Sequence, residues 1–112
     1  MKARGLFVSL IACLSWTAIE ADAVTLRGDR SCGQWTEAHQ PPDTSLAGLA
    51  TEGWVIGYLS AVATERRKDF IVGTDNESIF LWVTNYCRAN PLDYVDDASN
   101  RLAAELIRRK GL

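Results

Sequence analysis

His39 is the only histidine in the 112-residue chain, and that alone narrows the chemistry on offer. A histidine-based metal cluster or proton relay has nothing else to build on. His39 stands just before Pro41-Pro42, where a solvated loop histidine is the expected reading. Ser60, Ser78 and Ser99 have the right type for nucleophiles, but no evident base accompanies them and no Gly-x-Ser-x-Gly surrounds any of them. Asp75, Asn76 and Glu77 superficially suggest a calcium loop, yet the alternating acids and central glycine of such a loop are missing. Asp96-Asp97 could serve as an acid pair, although carboxylates in a first helical turn more often complement the helix dipole. Phosphate-binding glycine motifs are absent. No enzyme, cofactor or metal is expected.

The three cysteines fall into two groups. Cys13 lies inside an apolar run, residues 6–19, that follows Lys2 and Arg4 and precedes Ala21-Asp22-Ala23. A positive start, an apolar centre and a small-x-small ending describe a secretory signal peptide, with cleavage expected after Ala23. Leu10-Ile11-Ala12-Cys13 also looks like a lipobox, but it sits too early in the run to fit one well. The apolar stretch falls short of the ~20 residues of a membrane span. Cleavage leaves a single domain, residues 24–112 with a core over 31–110, carrying ten Lys+Arg against twelve Asp+Glu. That balance argues against nucleic acid as a partner. The remaining pair, Cys32 and Cys87, implies a disulfide in an exported chain, and no Cys-x-x-Cys points to redox work.

These residues must be positioned by helices, because no segment sustains a period of two. The expected fold class is all-α: three main helices, a short N-terminal segment and one disulfide. Residues 24–30 read as a loose leader, followed by Ser31 to Trp35 with the first cysteine and an apolar anchor. The first helix is expected over residues 44–67, ending on Arg66-Arg67-Lys68. Within it Gly53, Gly57 and Ala61 share a face that another helix could approach closely. The second helix is expected to start on a capping box, Thr74 with Glu77, and to run to Ala89. Asn90-Pro91 then stops it and opens the third, which runs to Lys110 with Leu92, Val95, Ser99, Leu102 and Leu106 on one face.

Cys32-Gly33-Gln34-Trp35, then residues 54–60 (Trp-Val-Ile-Gly-Tyr-Leu-Ser), then Tyr86-Cys87-Arg88-Ala89-Asn90-Pro91 follow one another in an order and spacing that resembles the HdeA/HdeB family of small periplasmic proteins. The chain also looks like the immunity proteins that neutralise type VI secretion amidases. Both resemblances imply a periplasmic, disulfide-tied helical domain, with Cys32 and Cys87 matching the bridging pair. The first implies a stress protein that opens in strong acid and holds unfolding clients; the second implies an inhibitor of one cognate toxin, with the charged stretch 65–75 as its blocking loop. Either reading allows a homodimer and neither inserts stably in a membrane. The partner or dimer face expected from the residues is Trp54, Tyr58 and Ala61 with part of the second helix, Trp82 above all.

Overall fold

The computed structural model describes residues 24–112. The expected signal peptide lies outside the described residues. Four helices appear in the order α1 (Cys32–Ala38), α2 (Leu46–Arg66), α3 (Asn76–Ala89) and α4 (Val95–Lys110), with no strand element among the described residues. The described residues are thus all-helical, with one more helix than expected. The short N-terminal segment expected around Ser31 to Trp35 forms the cap and first part of α1. The Ser31 hydroxyl accepts the Gln34 N–H at 3.2 Å, while the Gln34 side chain accepts the Ser31 N–H at 3.1 Å. This reciprocal cap satisfies two of the N–H groups that a helix start leaves unpaired.

α2 begins on Ser45, whose hydroxyl accepts the Gly48 N–H at 3.1 Å. It stops where Arg67 turns left-handed at φ 53°, its N–H shared between the carbonyls of Ala63 and Thr64. α3 is capped one residue later than expected: Asp75, not Thr74, accepts the Ser78 N–H at 2.7 Å. A carboxylate suits the positive end of a helix, and these hydrogen bonds hold the Asp75 carboxyl below its ordinary range.

The largest correction concerns the start of α4. Pro91 does not open the helix. Residues 90–93 form a turn closed by Asp93 N–H on the Asn90 carbonyl at 3.1 Å, and Leu92 projects into solvent. The next residues are held extended by the leader. Cys32 N–H donates to the Asp93 carbonyl and Val95 N–H to the Arg30 carbonyl, each at 2.8 Å, around an isolated antiparallel bridge between Ser31 and Tyr94. Helical geometry cannot coexist with that pairing, so α4 waits until Val95.

One stripe of each helix builds the core. α2 contributes Gly48, Thr51, Val55 and Leu59, α3 contributes Ile79, Val83 and Cys87, and α4 contributes Val95, Ala98, Ser99, Leu102, Ala103 and Leu106. α4 packs on both α2 and α3, and α1 closes the other side against α3 and α2. Trp35 plugs the centre fully buried, its indole N–H on the Thr84 hydroxyl at 2.9 Å. The Cys32–Cys87 disulfide joins the start of α1 to the end of α3, with Cα atoms 4.8 Å apart. At the far end Phe70 is buried, and the Lys110 ammonium donates to the carbonyls of Phe70 and Val72, which fixes the α2–α3 connector to the end of α4.

Candidate interaction surface

α2 has two apolar faces and the fold uses one of them. The face opposite Val55 and Leu59 consists of Leu46, Leu49, Ala50, Gly53, Gly57, Ser60, Ala61 and Thr64, all exposed. Leu46 is 85% exposed and Leu49 53%. A side chain built at Gly53 or Gly57 would meet nothing within 4 Å, so among the described residues nothing covers the middle of this face. At 1.5 Å per residue the face runs for about 27 Å. Glu52 is the one charged residue between Leu46 and Thr64, and it is turned away toward His39. Among the described residues α2 is also the helix long and apolar enough to cross a membrane, although its inner stripe is committed to the protein core.

His39 is not the solvated loop residue expected from its Pro-Pro neighbours. It ends α1, its ring stacks on Trp35 with centroids 3.9 Å apart, and its side chain is 8% exposed. Nδ1 lies 2.7 Å from the Trp35 carbonyl oxygen and Nε2 lies 3.1 Å from a Glu52 carboxylate oxygen. The histidine therefore joins α1 to α2. Its i,i+4 spacing from Trp35 was the available sequence signal; the distant Glu52 was not.

The expected partner-face residues separate. Trp54 and Tyr58 are half-buried on the edge of the α2 face, stacked with ring centroids 5.0 Å apart. Each is already engaged: the Trp54 indole donates to the Arg27 carbonyl at 2.7 Å and the Tyr58 hydroxyl to Asn100 Oδ1 at 3.0 Å. Ala61 belongs to the open face itself. Trp82 lies elsewhere, in a groove of about 660 Å³ lined by Tyr86, Asn90, Asp93, Arg101, Ala104, Glu105 and Arg108. There Trp82 stacks on Tyr86, whose hydroxyl donates to Asp93 at 2.5 Å; that bond, with some burial, pushes the phenol up from its ordinary pKa. Arg108 and Arg109 both bond Glu105 and hold its carboxyl at about 2.

The other residues with chemical potential are absorbed by local structure. Ser60 and Ser99 donate to carbonyls one turn back, and Ser78 donates to Asp75. The Asp97 carboxylate accepts the Tyr94 N–H at 3.0 Å, a helix-start role. Asp96 instead faces Asp29 of the leader, its N–H on Asp29 Oδ1 at 3.1 Å. The leader is thus not loose over its last residues, which sequence reasoning missed because backbone hydrogen bonds leave no pattern in side-chain type. No family model, no curated protein and no solved structure matches the chain.

Proposed function

We propose that this chain is an exported, non-enzymatic binding protein that holds unfolding clients on the outward face of α2, an acid-stress holdase of the HdeA-like kind. One observation carries the reading: about 27 Å of exposed helix surface holds no charged side chain, on a helix whose opposite face is anchored in the core. Such a face keeps its character at any pH because nothing on it titrates. The rest of the surface does change. Neutralising the twelve carboxylates of residues 24–112 takes the net charge from −2 toward about +11 once His39 is protonated. An uncharged strip surrounded by like charge binds apolar client segments while the complexes repel one another. At neutral pH the same face accepts a second copy of the chain.

The test is light scattering from an acid-sensitive client held near pH 2–3 and then neutralised, with and without the protein. Suppression is expected, and it is expected to weaken in Leu49→Lys and Ala61→Lys, which keep their charge in acid where a glutamate would lose it. Circular dichroism on the variants confirms that the helices persist. No suppression by a folded protein refutes the holdase reading. The weight then moves to an inhibitor of one toxin, with the connector around residues 65–75, pinned by Lys110, as its contact.

A further inference from the structure

The open face of α2 pairs large residues with small ones across its own midpoint, which lies between Gly53 and Gly57. Leu49 stands as far before that point as Ala61 stands after it, and Leu46 as far before as Thr64 after. Helical spacing makes such positions mirror one another, but it does not dictate their sizes. Here each leucine is mirrored by a smaller residue, and glycine by glycine. The charges just beyond the two ends of the face differ in sign. Asp43 precedes α2, whereas Arg66 ends it and Arg67 and Lys68 follow, all of them exposed. Among the described residues the ion pairs are His39–Glu52 and Glu105 with Arg108 and Arg109, so none of these end charges has an ionic partner there.

We propose that a second copy of the chain docks on this face in one register: α2 against α2, antiparallel, about a two-fold axis midway between Gly53 and Gly57. The inference rests on the reading of the outward face of α2 as a binding face, and it fixes one partner and the way that partner lies. Gly53 of one copy meets Gly57 of the other, Leu49 meets Ala61 and Leu46 meets Thr64, each contact occurring twice. The space above both glycines is open, so the helix axes can come closer than the ~8–10 Å of ordinary packing. The leucines then fill the room left beside the smaller residues. Asp43 of each copy comes to the end of α2 where the other carries Arg67 and Lys68.

A parallel pair fails on both counts. It sets Leu46 and Leu49 against their own copies and Ala61 against its own, so the helices are forced apart at one end and underpacked at the other. It also brings Asp43 beside Asp43 and cations beside cations, and like charges across an interface select against that arrangement. The antiparallel pair opposes the two helix dipoles as well. The strip is about 27 Å long and one helix, ~10 Å, wide, which is small beside the ~800 Å² per partner of a standard interface. The dimer is therefore reversible and concentration-dependent, with the end charges choosing its register more than its strength.

Cross-linking at pH 7 without client tests the register. Leu49→Cys and Ala61→Cys, each with the Cys32–Cys87 bridge intact, are treated with a short bis-maleimide, one of the two carrying a size tag. In the antiparallel pair the two copies of either position lie about 18 Å apart along the helices, while position 49 lies beside position 61. Mixing the variants should therefore link tagged to untagged chains, and either variant alone should link little. Stronger linkage within one variant than in the mixture overturns the register. Sedimentation equilibrium gives a second readout. Asp43→Lys and Arg67→Glu should each raise the dissociation constant about ten-fold, and the two combined should recover most of the loss. A combined variant no tighter than the single ones overturns the end pairing, and a parent chain still monomeric near millimolar concentration overturns the dimer. Gly57→Ala should weaken association, while in dilute protein the monomer follows helix propensity. A chain that is monomeric at pH 7 yet suppresses client scattering in acid removes this dimer and leaves the holdase reading standing, so the two failures are told apart.

Discussion

Replacing both bridging cysteines by alanine should remove most of the stability of this domain. The two residues stand 55 apart in sequence, so the bridge closes a long loop in the unfolded chain. Chain entropy puts that closure at about 4 kcal/mol. A domain of this size is stable by about 5–10 kcal/mol in all, so the bridge accounts for a large share. The native side adds to the effect: Cys32 is fully buried and Cys87 almost so, and the sulfur atoms they lose pack beside Trp35 in the core cluster. With a urea dependence near 1 kcal/mol per molar, the midpoint should fall by about 3–4 M. The assay is urea denaturation followed by far-ultraviolet circular dichroism. Because the sulfurs are inaccessible in the fold, dithiothreitol should reduce the bridge slowly in buffer and quickly once urea opens the chain. A midpoint within about 1 M of the parent would show that the α1–α3 junction holds without its staple, and the loop-entropy reasoning would fail.

Two further substitutions probe the packing at single residues. Thr84→Val is nearly isosteric but leaves the buried Trp35 indole N–H without an acceptor, so it should cost about 1–3 kcal/mol in urea titration; a change under half a kilocalorie would mean that the ring finds another partner. Gly48 and Gly57 should respond in opposite directions. A Cβ at Gly48 meets Thr44 Cγ2 at 2.5 Å and the Ala38 carbonyl at 2.9 Å, so Gly48→Ala should lower the melting temperature. Gly57→Ala has open space and should raise stability by about 0.5–1 kcal/mol through helix propensity. Loss of stability at Gly57 instead, growing with protein concentration, would show that another molecule packs on the face.

The parts of the fold that were legible before the structure are those set by local rules. α2 and the end of α3 fall where capping oxygens, cations and Asn90-Pro91 place them. The disulfide follows from an even cysteine pair, and the stripe Val95, Ser99, Leu102, Leu106 follows from helical spacing. The departures all have a tertiary cause. α1 has seven residues, too few for periodicity to register, and it forms because Ser31 and Gln34 cap each other. Pro91 is a good first helical residue in isolation, but the Cys32 and Arg30 backbone captures the chain between Asp93 and Val95 and delays α4. His39 is drawn inward by Trp35 from one side and Glu52 from thirteen residues away.

α2 shows why the candidate surface was harder to read than the core. Its apolar residues surround the helix instead of keeping to one side, so spacing alone does not separate core from partner face for Trp54, Tyr58 and Ala61. The tie is broken by what the other elements bring. α4 covers the side of Val55 and Leu59, Asn100 takes the Tyr58 hydroxyl, and the leader covers the Trp54 ring. Once those are assigned, the remaining side of α2 has nothing among the described residues to pack against, yet it keeps two exposed leucines and admits no charge for about 27 Å. α4 makes the comparison sharp: its own outer side carries Arg101, Glu105, Arg108, Arg109 and Lys110, the usual dress of a solvent-facing helix. Two helices of one small domain thus treat solvent in opposite ways, and the apolar surplus on α2 exceeds what its core requires. On the proposed reading a second molecule buries that surplus, and substitutions that leave the fold intact but charge this face test the proposal by separating an effect on binding from an effect on folding.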